Sequence, residues 1–339
     1  MTGIIPTTVV GSHPQPDWLI DRPLLSKTVP RVRTDELWRI PSEHLAEAQD
    51  DATRVAIAEL EQIGIDIVTD GEIRRESYSN YFVLALDGID VDNPGETLDR
   101  NGNPFPVPRI VGNIERPRPI LARDAEFLRA STDRLTKVTI PGPFTMAQQA
   151  QNDHYATERD VAYAFADVVR AEIEDLHALG IDIVQLDEPW MESRADAARE
   201  YGIETLQRAL DGVRGTTALH ICFGYPLFVP GHKREYRFLA ELADAPVDQI
   251  SIESAQAELD LAVLSELSGK TIILGVIALD TEDVETGETV AARLRRALPY
   301  TTDLIAAPDC GMKYLTRESA FGKLRALVEG AKALSVELA

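Results

Sequence analysis

Short apolar runs and longer amphipathic stretches alternate along the chain. The apolar runs are Ile4–Val10, Ile65–Thr69, Lys137–Ile140, Ile181–Leu186, Thr217–Leu219, Val247–Ile252, Thr271–Ile277 and Leu304–Ala307. They are rich in β-branched residues and almost free of polar alternation, as expected for strands covered on both faces of a parallel sheet. Most run into a polar turn marked by Gly or Pro, such as Gly11-Ser12-His13-Pro14, Asp187-Glu188-Pro189 and Pro308-Asp309-Cys310-Gly311. Between them lie helical patterns. Glu43–Ile63 places Leu45, Ala48, Ala52, Val55, Leu60 and Ile63 at helical spacing, with Ser42 as the expected N-cap. Glu158–Leu179 follows Thr157, another cap candidate, and stops at Gly180. Weaker helical patterns cover about 195–213, 234–244, 255–267, 287–298 and 318–334.

Eight such alternations predict an α/β fold, a TIM-type (β/α)8 barrel formed as a single domain over residues 1–339. An open doubly wound sheet is the alternative, but the chain has neither a GxGxxG nor a GxxxxGK[ST] fingerprint to support it. Two insertions interrupt the rhythm. A long first loop spans about 11–42, and a second insertion, about 78–120, follows strand 2. The second carries turn signals at Asn93-Pro94-Gly95 and Asn101-Gly102 and predicts a β-hairpin arm.

Composition narrows the function classes. Hydrophobic residues make up 44% of the 339, the balance of a globular protein. Lys and Arg number 34 against 56 Asp and Glu, a net charge of −22, which excludes a nucleic-acid tracker and a protein held on anionic lipid. No apolar run approaches the ~18 residues of a membrane span, and the first residues lack the basic start of a signal peptide, so a cytoplasmic location is expected. Two cysteines, Cys222 and Cys310, are too few for a disulfide framework.

In a barrel the carboxyl ends of the strands face the active site. The polar residues there are Ser12, Glu72, Asp187, Glu188, His220, Cys222, Glu253, Asp280, Asp309 and Cys310, a group that contains both cysteines. His220 and Cys222 are two apart on one strand and point to the same side. Glu253 ends the next strand and Cys310 the eighth. One imidazole, two thiolates and one carboxylate form a ligand set suited to Zn2+. Three negative charges on the dication make it a poor activator of water and a better holder of an added thiol as its thiolate. Such a site favours group transfer to sulfur over hydrolysis, and the chain has no HExxH pair.

At these residues the sequence resembles the cobalamin-independent methionine synthase family, specifically its C-terminal catalytic barrel. The matching stretches are VVGSHPQ, DGEIRRESYSNYF, GPFTMA, VQLDEP, HICFGY, ISIES and APDCGMKYL, in family order over nearly the whole chain. The resemblance implies a zinc-dependent methyltransferase, with the metal on His220, Cys222, Glu253 and Cys310. Homocysteine would be the acceptor and methionine the product. Ser12 would hold the substrate carboxylate, and Glu72 and Asp187 its ammonium. Three departures bear on the donor. The chain has no room for the second barrel of the full-length folate-dependent enzymes. Gln149 stands where those enzymes carry a tryptophan, and Asp280 where they carry a proton-handling histidine. The single-barrel relatives that HICFGY resembles include enzymes that take methyl groups from a corrinoid protein and others that act on coenzyme M adducts. The donor is therefore a methylcorrinoid (methylcobalamin or a corrinoid protein) or methyltetrahydrofolate. His13, His232 and Lys233 lie in or near loops over the mouth as candidate donor contacts. The alternatives are alkyl transfer to or from coenzyme M, kept open by Arg74 and Arg75 as sulfonate anchors, and a non-catalytic thiol-binding barrel.

Overall fold

The apolar runs become strands that curl round one axis. In the computed structural model, which describes residues 5–27, 32, 35–98, 102–223, 236–257 and 259–339, seven parallel strands pair in chain order. They are β1 (Ile67–Val68), β4 (Leu135–Pro141), β6 (Ile183–Asp187), β7 (Thr216–Ile221), β8 (Gln249–Ile252), β9 (Thr271–Ile277) and β10 (Leu304–Pro308). The eighth position is filled by the segment around Thr7. Thr7 bridges Ala306 on β10 and Thr8 bridges Ile67 on β1, both in parallel sense, so this segment joins the two edges of the curled sheet. It makes isolated bridges rather than a regular ladder. Pro6 has no N–H to donate and only accepts, from the Ala306 N–H at 2.8 Å. Ile4, the expected first residue of this strand, lies outside the described residues.

Inside the ring, Ile67, Ile183, Ala218, Ile273, Ile305 and Ala307 form a separate buried cluster drawn from five strands, the apolar floor of the barrel. A larger core packs the outer strand faces against the helices. Glu158–Ala178 begins with the expected cap, because Thr157 and Asp160 close a reciprocal capping box. Ser42 is not a cap. It is the first helical residue of Ser42–Ile63, and Pro41 holds the N-cap position, its fixed φ setting the entry.

Two helical patterns are only partly realised. Over 255–267 the structure has a 3-10 helix, Leu261–Leu267, opened by the Asp260 side chain accepting from the Ala262 N–H. The preceding N–H groups of Ser254, Ala255 and Gln256 all donate to Asp309, which anchors the bend before that helix. Of 234–244 the described residues begin at 236; among them the 3-10 helix Ala240–Asp244 forms, and the Arg237 and Phe238 N–H groups before it donate to Glu192.

The insertion after β1 forms the expected arm. β2 (Asp87–Leu98) and β3 (Pro104–Glu115) pair antiparallel, and β3 docks beside β5 (Gln151–Asn152). Asn93-Pro94-Gly95 is not a turn but an irregularity inside β2, where the register slips between Asp90 and Gly95 and Pro94 has no ladder bond to supply. Asn101, of the other turn signal, lies outside the described residues.

Candidate metal and amino-acid site

β7 sets the centre of the site. Its inward positions run from Ala218 to His220, and Cys222 follows just past its end. Cys310 arrives from the turn after β10. The ligand atoms of His220, Cys222 and Cys310 lie within 4.8 Å of one another, and all three residues are buried. The His220 ring is oriented by its Nδ1, 2.9 Å from the Ser251 hydroxyl on the neighbouring strand. Its Nε2 is buried with no hydrogen-bond partner. An imidazole held by one nitrogen and unpartnered at the other is the arrangement expected of a metal ligand.

Glu253 borders this trio without being one of the three. Its carboxylate is fully buried and accepts from the Phe223 N–H at 2.9 Å and from the Gln256 amide at 3.0 Å. Electrostatics tie it to the cysteines. Burial first, and then the Cys222 charge, hold Glu253 well above the usual carboxylate range. The hydrogen bond that the Cys310 thiol donates to Cys222, then burial, raise Cys310 well above an ordinary thiol. Burial opposes a charge on His220, but Cys222 outweighs it and raises the imidazole. Acidic groups crowded into one dry space, each holding its neighbour protonated, are what a dication would stabilise as anions. These donors therefore fit zinc.

Asp309 matters more than its place among the strand-end residues revealed. It is fully buried, and its two oxygens accept from the N–H groups of Ser254, Ala255 and Gln256 at 3.0, 3.0 and 2.9 Å. It thereby ties the segment after Glu253 to the turn that carries Cys310. Gly275 on β9 is required here, since a Cβ at that position would run into the Asp309 carboxylate. An asparagine at 309 cannot accept at both oxygen positions. Asp309→Asn should lower zinc affinity roughly 10- to 100-fold, the range for loss of an outer supporting partner, as measured by competition with a chromophoric chelator.

The expected amino-acid pocket adjoins the trio. The Ser12 hydroxyl is buried without a partner and lies against Gly311, so that any Cβ at 311 would strike it. Glu72 adopts a left-handed backbone, φ 53°, the only such non-glycine residue among those described. Its carboxylate accepts from the Thr139 hydroxyl at 2.9 Å. Such a backbone is costly for a non-glycine residue and persists only where the surroundings hold it. Asp187 ends β6, directly opposite His220 in the register. Loss of hydration pushes its carboxyl up to about 7; His220 opposes this, and the Glu72 and Cys222 charges reinforce it. Ser12, Glu72 and Asp187 thus surround the approach to the cysteines.

Other expected residues fall elsewhere. Glu188 is structural: buried, it accepts from the Phe144 and Thr145 N–H groups at 3.0 and 2.7 Å and so caps the helix Pro143–Gln148. Asp280 is exposed, three residues beyond the end of β9, unlike the buried ligands. His13 packs inward against a helix. It is buried, and its Nε2 lies 3.1 Å from Glu59 on the helix Ser42–Ile63. His232 and Lys233 lie outside the described residues. Arg74 is taken up by Asp50 and Asp124 and stacks on Phe127. Arg75 is buried, donates to Thr139 and stacks on Tyr81. Gln149 accepts from the Tyr78 hydroxyl at 2.6 Å.

The fold and the buried His-Cys-Cys group define a parallel α/β barrel with a candidate metal site, and comparison with known proteins gives its family. The family model for the cobalamin-independent synthase catalytic domain matches residues 5–333, and the chain belongs to that family. It is 32% identical to a methionine synthase of Sulfurisphaera tokodaii, over 99% of this chain and 94% of that protein. A methionine synthase of Sulfolobus acidocaldarius is 31% identical with the same coverage. Among solved structures it is similar to a B12-independent methionine synthase from Shewanella sp. W3-18-1 in complex with selenomethionine, with a TM-score of 0.89, 32% identity and 99% of each chain covered.

Proposed function

We propose that this protein transfers a methyl group to the thiol of homocysteine to give methionine. The observation that carries the reading is the convergence of an orphaned imidazole nitrogen and two thiols within 4.8 Å, beside a buried carboxylate pocket. The named relatives support it, and so does the Shewanella protein's complex with selenomethionine, the selenium counterpart of the product.

In this reading His220, Cys222, Cys310 and Glu253 hold zinc, which lowers the pKa of an added thiol and keeps it nucleophilic. The protein's own residues set which thiol enters. Ser12 donates its unpartnered hydroxyl to the substrate carboxylate. Glu72 and Asp187 receive the ammonium, so a zwitterionic amino acid is favoured over a purely anionic thiol. The partly exposed Asp187 sits where substrate meets the cysteines. The thiol loses its proton, sulfur bonds to the methyl carbon, and the donor's bond to that methyl breaks. Asp280, exposed past the end of β9, is the proposed proton-handling residue for the departing donor. The description of the family as cobalamin-independent favours methyltetrahydrofolate over a methylcorrinoid as donor. With Arg74 and Arg75 committed to Asp50, Asp124, Thr139 and Tyr81, a sulfonate acceptor such as coenzyme M has less to bind.

The test is to incubate the zinc-loaded protein with homocysteine and, separately, methyltetrahydrofolate or methylcobalamin, and to follow methionine by mass spectrometry. Methionine formed with either donor, and lost on chelation, is the expected result. Methylation of coenzyme M but not homocysteine, or binding of homocysteine without turnover on any donor, would overturn it.

A further inference from the structure

A fully buried lysine stands inside the barrel with no part in the chemistry described so far. Lys137 lies on β4, and its Nζ donates to the Gln185 side-chain oxygen at 2.8 Å. Gln185 on β6 then turns its amide nitrogen to two acceptors, the Val10 carbonyl at 3.0 Å and Asp187 Oδ1 at 2.8 Å. The donor and acceptor roles are fixed all along this chain. A carbonyl can only accept, so the Gln185 nitrogen must face Val10 and Asp187, and its oxygen must face a donor, which Lys137 supplies. Two residues further along β4, Thr139 donates its hydroxyl to Glu72 at 2.9 Å. One strand thus supports both carboxylates of the ammonium subsite, Glu72 directly and Asp187 through Gln185.

We infer that Lys137 is a positioning residue for amino-acid recognition: through Gln185 it holds Asp187 in place for the substrate ammonium. The inference rests on the proposed function. A deep lysine at this point is costly to bury, and no ion pair with a carboxylate among the described residues explains it. Without it the Gln185 oxygen becomes a buried acceptor with no donor, and the amide that orients Asp187 loses one of its anchors.

The experiment compares two thiols by calorimetry on the zinc-loaded protein: homocysteine, and 4-mercaptobutanoate, which keeps the thiol and carboxylate but lacks the amine. Lys137→Met and Gln185→Glu are the variants. The second leaves Lys137 with an acceptor but presents an oxygen to Asp187. Both should weaken homocysteine about tenfold, the cost of roughly one charge-assisted hydrogen bond, and leave 4-mercaptobutanoate within about twofold. In turnover the loss should fall on KM rather than kcat. Homocysteine binding that is unchanged in both variants, or weakened equally for both thiols, overturns the inference. Wild-type protein that shows no preference for homocysteine over the amine-free thiol overturns the proposed function instead.

Discussion

Replacing Cys310 by serine should remove both the metal and the activity. A hydroxyl is a far weaker zinc ligand than a thiolate, and Cys310 is one of three residues, among those described, whose ligand atoms converge within 4.8 Å. Zinc affinity should fall by well over the roughly 100-fold that loss of a mere outer partner costs. Elemental analysis after dialysis should then show near-stoichiometric zinc in the wild type and almost none in the variant. Serine is close to cysteine in size and the turn Pro308-Asp309-Cys310-Gly311 is held by Asp309, so the fold should survive, and circular dichroism checks that it does. A variant that keeps its zinc would remove Cys310 from the ligand set.

The second large effect is expected at Asp187. Asparagine keeps the acceptor oxygen that Gln185 addresses at 2.8 Å while removing the charge that would meet the substrate ammonium. A hydrogen bond to a charged group contributes about 1.5–3 kcal/mol, so Asp187→Asn should raise KM for homocysteine roughly 10- to 150-fold. Zinc content should be unchanged, because Asp187 stands beside the ligands and not among them. Equal losses for homocysteine and 4-mercaptobutanoate would mean that Asp187 does not read the amine. A glutamine at Glu72 is a harsher test, since its side-chain oxygen is also committed to Thr139.

Much of this was legible in the chain itself, for physical reasons that differ from element to element. Strands buried on both faces must be apolar, so each left a short run such as Ile181–Leu186 that the structure realises as Ile183–Asp187. The candidate ligand cluster was readable because His220 and Cys222 share a side by spacing alone, and the structure brings Cys310 to them. What could not be read depends on contacts across the barrel. Asp309 anchors the bend after Glu253 through three N–H groups far away in sequence. The helical pattern of 255–267 carries no trace of that anchor. Glu188 looked like an active-site carboxylate beside Asp187, yet it faces the other way and caps a helix. Alternation on a strand gives the physical rule: neighbours point to opposite faces. Lys137 was visible only as the polar start of an apolar run, and its meaning needs Gln185 and Asp187 from the adjacent strand.

The account's central claim is that this barrel activates an amino-acid thiol at a buried metal. The most direct measurement is a titration of the zinc-loaded protein with homocysteine in weakly buffered solution, following released protons below the thiol's own pKa. One proton per bound homocysteine, abolished by Cys310→Ser, is the predicted result. Homocysteine that binds without releasing a proton, or equally well to metal-free protein, would contradict it.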